Sequence, residues 1–362
     1  MSKPSAIPAN FGFYLILLTA FCVSVFPDVS YFLAIGAILV WLFQSFVFRE
    51  TGFVSSILFY PIAGLAVFSF LVWILSAIYS VNNPMACVGI SSLFYFVVFS
   101  FVSSREKRKM IIWTFFAGVI LSVIIAYLAA MSAMPDAFPQ DVILEERLPA
   151  LVIIGLCLAI AYYVEAPGIR ERVFFGLVSI PLIIGILNVD YTIALTALLV
   201  LTAAGLVRYR PILIAVLFIT VLAISGFFGI KGDLGERYAD GSLARELSAP
   251  WNRIDEYSLR LSETGFYGVQ ADETSMLTDP FFVSLARHGG PPMLLFFLWV
   301  IIELGRRDLT RLRKLPQKEE KAFHLAALLV IVILVIVNIY GSSLGCTPAM
   351  IGLWMFFGMA EI

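Results

Sequence analysis

Apolar residues in this chain come in runs of about twenty, separated by short polar or charged links. Runs of that length match the roughly 30 Å of hydrocarbon in a bilayer. Lipid offers the backbone no hydrogen-bond partner, so a spanning segment must satisfy itself, and such runs predict helices. The pattern places spans at 11–27, 29–48, 55–79, 85–103, 110–131, 149–164, 173–187, 190–207, 212–230, 281–302, 322–340 and 346–361. It predicts an all-α polytopic membrane protein with about twelve transmembrane helices. Residues 1–362 then form one integral membrane domain, with a large outward loop at 231–280 that contains short helices and a smaller one at 131–149.

Composition agrees. Of 362 residues, 61% are hydrophobic and 14% charged, against about 25% charged in soluble domains. The net charge of −1 decides little, but its distribution orients the chain. Lys3, Arg49, REKRK (105–109), RER (170–172), RYR (208–210), GRRDLTRLRK (305–314), Lys318 and Lys321 all fall on alternate connections. Positive charge near span ends stays cytoplasmic, which predicts both termini inside. The basic run at 306–321 is explained by this topology and by anionic lipid, and no nucleic acid is expected as a partner. The first run reads as a span: only Lys3 precedes it and no small-residue cleavage site follows.

Several function classes fall away. The spans are almost free of ionisable side chains, which counts against an ion-coupled transporter. Cys22, Cys87, Cys157 and Cys346 lie in or at the ends of spans with no CxxC spacing, so no disulfide framework or metal site is expected. There is no Walker A sequence and no dinucleotide fingerprint, and no cofactor is expected. GSSLG (341–345) has the G-x-S-x-G form but sits at a turn between spans, not in a strand-turn-helix elbow.

The chemistry therefore concentrates in the outward loops. The large one carries Arg237, Arg245, Arg253 and Arg260, and Lys231 is its one lysine. Ser248 can cap a helix whose first turn accepts Pro250. Along that helix Trp251, Ile254 and Leu261 share one face, and Arg253, Glu256, Arg260 and Glu263 another. The plain reading is a solvated helix held by weak ion pairs. The functional reading is two guanidinium groups presented together, whose planar forks match phosphate oxygens as a lysine cannot.

The other outward candidates are Arg147, Asp190, Asp279, Arg287 and His288. Arg147, where span 149–164 begins, is an interfacial anchor or a cation at a cavity mouth. Asp190 reads as a helix cap. Asp279-Pro280 starts a helix that places Arg287 and His288 in its first turns. His288 is either a packing residue or a base, whereas His324, at the other face, reads as structural.

The loop resembles that of the O-antigen polymerase and O-antigen ligase superfamily, polytopic membrane glycosyltransferases of GT-C type. The resemblance rests on Arg253 followed by Tyr257, then Phe266-Tyr267-Gly268-Val269, then Thr278-Asp279-Pro280-Phe281-Phe282, and Arg287-His288-Gly289-Gly290 leading into LLFFLWV. It covers residues 145–305 in pattern and the remainder only in topology. It implies a bacterial inner-membrane enzyme acting at the periplasmic face on polyprenyl-pyrophosphate-linked glycans, embedded in membrane lipid. It leaves room for a chain-length regulator and a flippase as partners.

Under that resemblance the activity is polymerisation of oligosaccharide repeats of a surface polysaccharide such as lipopolysaccharide, without a metal. Arg253, Asp279 and His288 become candidate catalytic residues. Arg147, Arg237, Arg245, Arg260, Arg287 and Tyr257 become candidates for holding pyrophosphate and glycan. The ligases usually carry His-Asn where this chain has Asp279-Pro280, and many members carry Ser-Arg where it has Val189-Asp190-Tyr191. The first difference favours polymerase over ligase. A lipid-linked oligosaccharide flippase and a membrane scaffold are the readings from other classes.

Overall fold

The computed structural model describes residues 10–48, 58–78, 85–130, 148–165, 168–188, 281–340 and 347–361. Over these the chain is helical, with no strand among the described residues. The helices are α1 (Phe11–Val25), α2 (Pro27–Phe43), α3 (Phe59–Ile78), α4 (Met85–Phe101), α5 (Arg105–Ala130), α6 (Leu148–Glu165), α7 (Ile169–Asn188), α8 (Phe281–Lys314), α9 (Lys318–Tyr340) and α10 (Thr347–Glu361). A π-helical turn, Gln44–Phe48, prolongs α2. Pro27 opens α2 at a position where its missing N–H costs nothing.

Two helices are apolar on every face and are buried accordingly: α10, and α6 from Ala150 to Ala161. Around α10 pack α1, α2, α4, α6 and α9, while α6 lies against α5, α7, α9 and α10. The outer helices instead expose apolar side chains, with Phe32, Leu39, Phe46, Tyr60, Val67 and Leu71 all open on α2 and α3 or the turn after α2. Surface of that kind is stable against lipid and not against water. Helices over 27–46, 59–78, 105–126 and 281–314 are long and apolar enough to cross a membrane, and those over 11–25, 85–101 and 150–165 are shorter. The protein is an all-α membrane protein. The spans expected at 190–207 and 212–230 lie outside the described residues.

Without a hydrophobic force between helices in lipid, close approach through small residues does the packing. A Cβ added to Gly118 of α5 would lie 2.6 Å from the Phe21 carbonyl of α1. One added to Gly64 of α3 would lie 2.6 Å from the Phe296 ring of α8.

Charge gathers at one end of the bundle, where the sequence pattern groups it. The guanidinium of Arg108 lies 3.4 Å from Glu320 and 4.8 Å from the centre of the Phe323 ring. Lys109 meets Glu319 at 2.7 Å. Lys107 donates to the Phe101 carbonyl at 3.2 Å, one of the carbonyls left open at the end of α4. Arg311 does the same for α10, reaching the Ala360 and Glu361 carbonyls at 2.7 and 3.2 Å, and Arg307 pairs with the Glu361 carboxylate. Cations at helix C-termini are where the helix dipole favours them.

Candidate functional site: the hairpin at Gly290

The expected span at 281–302 is not one straight helix. At Gly290 the backbone takes φ 77° and ψ 166°, a conformation open in practice to glycine alone. Pro291 and Pro292 follow, pre-set to begin a helix and unable to continue one. The arm 281–289 therefore doubles back along 291–314. The Phe281 ring centre is 5.3 Å from that of Phe297, and that of Phe282 is 6.2 Å from it. A straight helix would part Phe281 and Phe297 by about 24 Å.

Each arm has its own packing. In the first, Phe281, Ser284, Leu285 and His288 recur at helical spacing and are all fully buried. In the second, Met293 lies against α3, its sulfur 3.8 Å from the Ser69 hydroxyl, and Phe297 meets Trp354 of the central helix edge to face at 6.2 Å. The turn is tight, since a Cβ on Gly289 would fall 2.2 Å from the Met293 sulfur. At about 1.5 Å per residue, the second arm covers about 27 Å between Gly290 and Asp308, close to a hydrocarbon thickness. The turn thus lies at the end of the bundle remote from the basic cluster.

The structure places two of the candidate site residues. His288 is enclosed in the bundle beside the turn, and Arg287 is half-buried next to it. Arg147, Arg237, Arg245, Arg253, Tyr257, Arg260 and Asp279 lie outside the described residues, as do the loops 131–147 and 231–280. The span expected at 281–302 runs straight through Gly289 and Gly290. The signal for a break was present: Gly-Gly-Pro-Pro is the densest helix punctuation in the chain's described part. Reading Ser284 as a companion of His288, one turn earlier on the same face, required knowing that the arm packs inward.

The opposite, basic end holds a second buried polar centre. His324 Nδ1 lies 2.7 Å from Asp308 Oδ1, joining α9 to α8, so the structural reading of His324 has a specific partner. No group of three or more His, Cys, Asp or Glu that could hold a metal occurs among the described residues. No family model matches the chain, and no curated protein matches it in sequence.

Proposed function

We propose that this protein is a membrane glycosyltransferase that polymerises polyprenyl-pyrophosphate-linked oligosaccharide repeats. The observation that carries the reading is the arginine-rich segment 231–280, which in sequence runs directly into the α8 hairpin with Arg287 and His288 at its turn. The full arrangement has about twelve spans, both termini cytoplasmic, and the segment at the periplasmic face of a bacterial inner membrane.

In the reaction the acceptor hydroxyl attacks the sugar C1. The C1–O bond to the pyrophosphate breaks, the polyprenyl pyrophosphate departs, and the hydroxyl proton goes to a base. Arginines aimed at the departing pyrophosphate relieve its charge as it forms, each charge-assisted bond contributing about 1.5–3 kcal/mol. Arg253 and Arg260, with Arg237, Arg245 and Arg287, hold one lipid phosphate, and Arg147 holds the other. Tyr257 offers a ring to the glycan. Asp279 takes the proton, a role for which it is better suited than His288. An imidazole enclosed against the bundle does not meet an acceptor hydroxyl, and it serves instead to fix the arm that carries Arg287.

Deleting the protein in its host tests this. Surface lipid carrying a single repeat unit is the expected result, because another enzyme still ligates single units. Surface lipid without any repeat, with long polymer left on the polyprenyl carrier, would make the protein a ligase. Unchanged surface polymer would end the reading.

A further inference from the structure

At the basic end of the bundle, α5, α6, α7 and α9 line an open pocket of about 200 Å³, with Glu171 exposed and Glu165 half-buried at its edge. The same ends of α5 and α7 carry Arg105, Lys107, Arg108, Arg170 and Arg172. The pocket's own lining presents Glu165, Glu171 and Glu319 against the single cation Lys109, together with Trp113, Tyr162 and Phe175. Lys109 is committed to Glu319 at 2.7 Å. Glu171 accepts the backbone N–H of Gly168 at 3.1 Å. Neither Glu165 nor Glu171 has an ion-pair partner among the described residues, so the cavity is an acidic recess in a basic surface.

The aromatic groups are arranged as walls. Phe175 lies 5.0 Å from Tyr162 and 5.8 Å from Trp113, nearly parallel to the indole. Ring faces beside carboxylates attract a cation, and more strongly where water is partly excluded. The size selects among cations. A pocket for a drug-sized molecule holds about 300–1,000 Å³, so this one admits a small headgroup and not an oligosaccharide.

The surroundings select the source of the cation. Ile169, Val173 and Leu177 form an exposed apolar stripe along α7, next to exposed Phe174 and Trp113. Such a stripe, starting at a level where ionic side chains cluster, is the profile of an acyl-chain contact beneath a headgroup.

We infer that the cavity binds the headgroup of an aminophospholipid. The primary ammonium sits between Glu165 and Glu171 against the ring faces, and its N–H groups donate to the carboxylates. The phosphate lies toward Lys109, and the acyl chains run along Ile169, Val173 and Leu177. A choline headgroup has no N–H to give. A glycerol headgroup brings a phosphate with no cation to satisfy the two carboxylates. The inference does not depend on glycosyl transfer.

Native mass spectrometry of the delipidated full-length protein tests it, by titration with phosphatidylethanolamine, phosphatidylcholine and phosphatidylglycerol of identical acyl chains. The expected ranking puts phosphatidylethanolamine first. Glu165→Gln and Glu171→Gln should each weaken its binding about two- to fivefold, the range of a partly exposed ion pair. Glu106→Gln, the same charge change at an exposed position in the first turn of α5, should leave it unaltered. A wild-type preference for phosphatidylglycerol, or equal binding of all three, would overturn the assignment. So would full retention of the preference in the Glu165→Gln/Glu171→Gln double variant. Competition by free phosphoethanolamine at the same concentration as the lipid would show a soluble amine as the occupant. The wild-type ranking requires no variant, so a variant that fails to fold leaves the test standing.

Discussion

His324 Nδ1 and Asp308 Oδ1 lie 2.7 Å apart with both side chains buried, and this contact ties the start of α9 to the last turns of α8. A buried polar pair contributes less by existing than it costs to break. Removing one partner strands the other in a low-dielectric interior for about 1–3 kcal/mol, whereas replacing both by apolar groups is nearly neutral. Asp308→Ala and His324→Ala should therefore each lower the melting temperature in detergent. The double variant Asp308→Leu/His324→Phe should recover most of the loss. Additive losses in that double-variant cycle would mean that the pair does not act as a unit.

The Gly290 turn yields a prediction with two separable causes. Gly290→Ala places a side chain in a glycine-only conformation and should cost about 1–3 kcal/mol. Gly289→Ala should also destabilise, but by collision with Met293. Met293→Ala should accordingly rescue part of the second loss and none of the first. Rescue of Gly290→Ala by Met293→Ala in thermal unfolding would show that the strain is not in the backbone.

For the proposed glycosyl transfer, Arg253→Ala should abolish polymer formation, and Arg253→Lys should restore little of it, since the planar fork matters as well as the charge. Arg245→Ala and Arg260→Ala should be impaired to a lesser degree. Polymer length on gels, corrected for protein level, reads this out. Full activity of Arg253→Lys at normal abundance would remove bidentate phosphate recognition from the mechanism.

Orientation is open to direct chemistry. With Cys87 and Cys346 replaced by Ser, single cysteines at Ser242 and Gln317 can be exposed to an impermeant thiol reagent in cells with a permeabilised outer membrane. Cys22 and Cys157 are buried and should stay silent. Position 242 should label and position 317 should not. The reverse pattern would invert the topology.

The helical, membrane-embedded character of this chain was determined by its sequence, because a run of apolar side chains can satisfy its backbone in lipid in only one way here. The grouping of REKRK with the 305–321 segment was also legible, since both follow from one charge pattern, and the structure joins them through Arg108–Glu320 and Lys109–Glu319. The candidate site was legible only as an inventory of arginines and a turn signal. Tertiary structure decided three things that pattern leaves free. It broke α8 at Gly290, because the Gly-Gly-Pro-Pro run permits a fold-back but only the packing of Phe281 and Phe282 on Phe297 selects it. It enclosed His288, because burial depends on which face of an arm meets the bundle. It also brought Glu165, Glu171 and Glu319 around one cavity from three different helices, a convergence of distant residues that no local spacing encodes.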